Sequence, residues 1–128
     1  MTVDSSAIIA ILCQEPGCER LLDAIGKTRV AVIGAPTVAE TQLALTVRLG
    51  QDASSMVEQF LVEAKIMIVP FGRDHISAFF EAFLRFGKRR HPAALNMGDC
   101  FTYAIAKVAK MPVLFTGNDF SQTDIGAA

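Results

Sequence analysis

Met1-Thr2-Val3-Asp4-Ser5-Ser6-Ala7-Ile8-Ile9-Ala10-Ile11-Leu12 passes from a β-compatible start through a cluster of capping residues into an apolar stretch, and that order, strand, turn, helix, decides the fold. The same unit recurs along the chain. After Pro16-Gly17, Glu19 to Ile25 reads as a second helical piece, with Gly26 as its expected stop. Val30 to Ile33 is a β-branched apolar run, and a helix is expected from Pro36 to Leu49, closed by Gly50. Asp52 is placed to cap a helix over Ala53 to Ala64, and Ile66 to Val69 reads as a third buried strand ended by Pro70. Asp74 opens a helix with Ile76, Phe79, Phe80, Phe83 and Leu84 on one broad apolar face and Gly87 at its end. Lys88 to Asn96 reads as a loop, Asp99 to Lys110 as a helix and Pro112 to Phe115 as the last strand. Continuous apolar strands alternating with helices predict an α/β fold with a central, mainly parallel sheet covered by helices on both faces.

Composition narrows the class. The 128 residues are 52% hydrophobic and 20% charged, which suits one compact domain over residues 1–128 and excludes disorder as the default. The net charge of -1 and a pI near 6.1 give no global positive field, so any contact with RNA must come from a local basic patch. Cys13, Cys18 and Cys100 are odd in number and form no CxxC pair, which points away from a disulfide framework or structural zinc and toward a reducing cytosol. The N-terminus has no basic leader, and the apolar run Ala7 to Cys13 falls far short of the roughly 20 residues that span a bilayer. A soluble protein without a membrane partner is expected.

In an open parallel sheet, ligands bind beyond the carboxyl ends of the strands. Asp4 directly follows the first strand, Asp119 lies four residues past Phe115, and Asp99 sits in the first turn of the helix leading to the last strand. Glu40, in the second turn of the helix after the second strand, leans toward the buried stripe near the same rim. Each acid also has a simpler use: Asp4 and Asp99 as helix caps, Asp119 in a turn. Glu40 is the exception, because a partly buried glutamate needs a partner. Four crowded carboxylates repel one another unless a cation neutralises them. With only oxygen donors and no His at ligand spacing, Mg²⁺ is favoured over zinc, with Mn²⁺ as a substitute. Asp4 and Asp99 are the expected metal ligands, in a site suited to hydrolysing phosphodiesters with metal-activated water. Thr116, at the end of the last strand, is placed to hydrogen-bond that water or an acid, and Asn96 is placed to cap the helix that carries Asp99.

Arg85, Lys88, Arg89, Arg90 and His91 form the one dense basic run, just ahead of the loop that delivers Asp99. Such a run is either a solvated surface or a grip on flanking phosphates, and His91 is a weak general-base candidate. The stripe from Phe79 to Phe86 has helical period and reads as core or dimer interface rather than a base-stacking platform.

Val-Asp-Ser-Ser-Ala at 3–7, Glu40 within Thr37-Val38-Ala39-Glu40-Thr41, Leu95-Asn96-Met97-Gly98-Asp99-Cys100-Phe101-Thr102-Tyr103-Ala104 and Leu114-Phe115-Thr116-Gly117-Asn118-Asp119-Phe120 resemble the PIN-domain toxins of VapBC toxin–antitoxin pairs. The likeness runs in order from residue 1 to the C-terminus. It implies a Mg²⁺-dependent endoribonuclease, a homodimer, inhibition by a cognate VapB-type antitoxin, and acidic-site roles for Asp4, Glu40, Asp99 and Asp119. Many PIN domains carry an acid or Asn two residues after the threonine, where this chain has Asn118, with Asp119 next.

Two other readings compete with this one. A phosphoacceptor domain of the same fold class wants extra acids beside the first strand and a lysine beyond the last, and neither is present. A non-catalytic PIN scaffold that binds a protein or RNA would normally have lost one of the acids.

Overall fold

A computed structural model describes residues 1–128. Four strands, β1 (Thr2–Val3), β2 (Ala31–Gly34), β3 (Ile66–Val69) and β4 (Val113–Leu114), form one parallel sheet in the order β3-β2-β1-β4. The helices are α1 (Ser5–Leu12), α2 (Cys18–Lys27), α3 (Ala35–Leu49), α4 (Ser54–Glu63), α5 (Arg73–Phe86) and α6 (Met97–Ala109). The chain steps outward from β1 to β2 and β3, then returns to lay β4 on the other side of β1. That reversal opens a crevice at the carboxyl ends of β1 and β4.

Alternate strand residues sort onto two faces. Val3, Ala31, Ile33, Ile66 and Leu114 belong to a core shared with α1 to α4, including Ile8, Leu45 and Leu61. On the other face, Thr2, Val32 and Val113 are in register beneath α6. There a second core joins Val113 to Tyr103, Leu95, Phe86 and Phe120. Gly34 lets α6 approach, since a Cβ there would stand 2.7 Å from Ile105 Cγ1. The expected parallel sheet between helical layers is thus present.

Several local expectations change. The α2 helix runs through Gly26 to Lys27 and stops at Thr28, because tertiary contacts of Leu21 and Ile25 carry the helix past a weak breaker. The third strand is not fully buried: β3 is the sheet edge, and Met67 and Ile68 are exposed. On α5 the predicted broad apolar face is not the core face. Ala78, Ala82 and Phe86 are buried, whereas Ile76, Phe80, Phe83 and Leu84 are exposed, because α5 and α6 pack closely through small residues. No helix is long and apolar enough to cross a membrane.

Candidate active site

The sheet brings Asp4 to the β1/β4 crevice through its backbone, whose N–H donates to Leu114 O at 3.0 Å. Its side chain caps α1, Oδ2 accepting from Ser6 N at 3.1 Å and from the Ser6 hydroxyl at 2.6 Å. Oδ1 accepts from the Thr102 hydroxyl on α6 at 2.6 Å. Capping and site placement therefore coexist in one residue, which is 4% exposed.

Asp99 is arranged in the same way on α6. The Asn96 side chain accepts from Asp99 N at 2.9 Å, and Asp99 Oδ2 accepts from Asn96 N at 3.0 Å, a reciprocal capping box. Asn96 thus holds Asp99 as the sequence led one to expect. Burial raises the Asp99 pKa to about 7; the Asn96 backbone bond opposes the rise, and the charges of Asp119 and Asp4, with a hydrogen bond from Asp119, add to it. A carboxyl with such a pKa is one whose charged form has too few positive neighbours.

Glu40 reaches the same place from α3. Its pKa is also raised, first by desolvation and further by Asp4, while the Ser5 hydroxyl lowers it. A Cβ on Gly98 would overlap the Glu40 carboxylate, so the bare α-carbon of α6 is the seat of that side chain. Asp119 comes from the irregular segment after β4. It is exposed, but the next residue, Phe120, is 1% exposed and packs edge-on against Phe115 at 5.1 Å. Burying such a ring contributes about 1.5–3 kcal/mol and ties the loop down beside Asp119. All four sequence-selected acids therefore meet at one rim, though no three Asp, Glu, His or Cys side chains stand as a ready-made metal cage.

Thr116 follows β4 and meets the site through its backbone. Its side chain is exposed, and its backbone N–H donates to Ser6 Oγ at 3.1 Å, so it supports Asp4 through Ser6. The basic run divides. Arg85 pairs with Glu81 at 2.9 Å and Asp124 at 3.4 Å and lies over Phe86, whereas Lys88, Arg89 and Arg90 have no ion pair. Arg90 instead covers the Phe83 ring. The turn they occupy is closed by Gly87 and Leu95, and Asn96 follows directly. His91 Nδ1 accepts from Ala93 N at 3.0 Å, which holds the turn rather than reaching the acids.

Sequence reasoning missed Thr102, Ser5, Ser6 and Gly98. Thr102 was findable, because it lies three residues after Asp99 on the same helix face. Thr37 backs it, hydroxyl to hydroxyl at 3.5 Å.

The model of the PIN domain matches residues 1–126. Ribonuclease VapC36 of Mycobacterium tuberculosis is 43% identical over 126 residues, covering 98% of this chain and 91% of the relative. Ribonuclease VapC of Mycolicibacterium smegmatis is 38% identical over 127 residues, covering 99% and 98%. Among solved structures, VapC20 of Mycobacterium tuberculosis, described as a sarcin-ricin loop cleaving toxin, matches with a TM-score of 0.79 at 17% identity, covering 99% of this chain and 97% of that one. At that identity the likeness concerns the fold. The match over 126 residues and relatives well above 30% identity along their length establish that the chain belongs to the PIN-domain family.

Proposed function

We propose that this protein is an endoribonuclease of the VapC toxin kind, hydrolysing RNA phosphodiester bonds with a divalent cation at the Asp4–Asp99 rim. The observation that carries the reading is Asp99: a buried carboxyl facing Asp4 and Asp119, whose pKa burial and those charges raise to about 7. The donor set fits a hard cation, because every side chain at the rim offers oxygen. Asp4 and Asp99 would hold Mg²⁺, or Mn²⁺ in its place, with Glu40 and Asp119 completing the acidic surround. A bound cation supplies charge for the scissile phosphate and a water of lowered pKa.

The protein's own residues supply the geometry. Thr102 and Ser6 fix both oxygens of Asp4, and Asn96 fixes Oδ2 of Asp99. Lys88, Arg89 and Arg90 are free to meet flanking phosphates. The whole chain serves as a single PIN domain, acts in the cytoplasm and forms a homodimer. A VapB-type antitoxin partner would cover the acids with a basic side chain, because charge complementarity favours that contact.

Incubating the purified protein with RNA, with and without EDTA, tests the reading. Cleavage should need Mg²⁺ or Mn²⁺ and disappear in Asp99→Asn. Cleavage undiminished by excess chelator, with contaminating nuclease excluded, would refute the metal, and no cleavage under any cation would leave a binding scaffold.

A further inference from the structure

We infer that Asp124 is a positioning residue: gripped by Lys107, Tyr103 and Arg85, it holds the C-terminal segment so that Asp119 stays beside Asp99. The inference rests on the reading of Asp119 as part of the acidic site.

Residues 115–128 contain no helix and only one isolated bridge, between Val113 and Ala127. The bonds within the segment are local. Ser121 N and Oγ donate to Asn118 O, and Thr123 N and Oγ1 donate to Phe120 O. These shape turns without fixing where the turns lie. Asp124 attaches the segment to the body: Tyr103 Oη donates to Oδ1 at 2.8 Å, Lys107 Nζ meets Oδ2 at 2.7 Å, and Arg85 Nη1 lies 3.4 Å from Oδ2.

The placement follows a line on α6. Asp99, Tyr103 and Lys107 are four residues apart and share one helix face. Asp119 meets Asp99 at one end of that line, and Asp124 meets Tyr103 and Lys107 toward the other. Phe120 enters the same core as the Tyr103 ring between them. At the Asp119 end the charges of the two carboxylates repel. The attraction at the Asp124 end offsets that repulsion. Partial burial acts to raise the Asp124 pKa, but the bonds from Lys107 and Tyr103 and the charges of Lys107 and Arg85 leave it lowered. Arg85 thereby belongs to this clamp and not to the phosphate-binding run.

The test combines RNA cleavage with amide hydrogen exchange of the full chain. Asp124→Ala should lower kcat about tenfold to a hundredfold, the cost of small misplacement, with KM changed less than about twofold. In an Asp119→Ala background the same substitution should change cleavage less than about twofold, because the group it positions is gone. In cation-free protein, exchange at residues 117–121 should accelerate about tenfold while α3 and α4 keep their protection. Tyr103→Phe, which keeps the buried ring, should act in the same direction by about threefold. Unchanged exchange at 117–121 in both variants, or an equal loss of cleavage in both backgrounds, would overturn the inference. If no preparation cleaves RNA, the nuclease reading fails on its own and the exchange result alone decides the role of Asp124.

Discussion

Asp4 and Asp99 are built into the regular part of the molecule, whereas Asp119 is carried by a segment without a helix or strand. The first two are buried and sit at helix starts, where capping bonds set the side chain as the helix forms. Asp119 is exposed and takes its position from a buried neighbour and a distant ion cluster. The difference teaches that rigidity within one acidic site is graded. Acids that double as caps are set as their helices form, and the loop-borne acid depends on contacts made elsewhere.

Activity gives the largest contrast. Asn retains the cap at position 99 but not the charge, so Asp99→Asn should lower cleavage on the order of 10²- to 10³-fold with the helix intact. Asp119→Asn should cost less, about tenfold to a hundredfold. Measured kcat/KM for the two variants decides it, and an equal or greater loss at Asp119 breaks the comparison.

Stability against pH sharpens it next. The folded Asp99 pKa, about 7, lies above the ordinary carboxylate value, so the folded state holds a proton that the unfolded chain releases. Its contribution favours folding below the ordinary value and fades as pH rises through 7. In cation-free protein the parent should therefore lose stability relative to Asp99→Asn between about pH 4 and pH 7, by at most about 4 kcal/mol at 1.36 kcal/mol per pKa unit. Asp124, with its lowered pKa, works in the opposite direction, and comparing parent with variant cancels it. Denaturant melts across that pH range supply the measurement; parallel curves for the two proteins would remove the burial argument.

Gly98 separates placement from stability. Ala in a helix is ordinarily favoured over Gly by about 0.5–1 kcal/mol, yet a methyl here would displace the Glu40 carboxylate. Gly98→Ala should hold or raise Tm while lowering cleavage about tenfold, as Glu40→Gln should too. Unaltered cleavage would mean that Glu40 need not sit on Gly98.

The smallest effect concerns the basic turn. Replacing Arg89 and Arg90 with Ala should flatten the salt dependence of RNA binding by about 0.7 per lost phosphate contact. Arg85→Ala should leave that slope unchanged, because its guanidinium is engaged with Glu81 and Asp124. A binding titration over several salt concentrations distinguishes them.

Much of this was legible in the chain itself. Asp4-Ser5-Ser6 and Asn96-Met97-Gly98-Asp99 announce helix starts, and the apolar runs at 30–33 and 66–69 announce strands, because capping and strand propensity act over a few residues. Local chemistry thus determined the elements, their alternation and the placement of Asp4 and Asp99 at helix starts. What lay beyond it needed contacts distant in the chain. Thr102 meets Asp4 across 98 positions, Thr116 meets Ser6 across 110, and Arg85 meets Asp124 across 39. Which face of α5 is buried depended on how closely α6 approaches it, so periodicity alone selected the phenylalanines over Ala78 and Ala82. The exposure of β3 depended on strand order, which no single strand encodes. The tertiary structure decided these matters because hydrogen bonds, ion pairs and desolvation depend on distance in space, and separation along the chain does not set that distance.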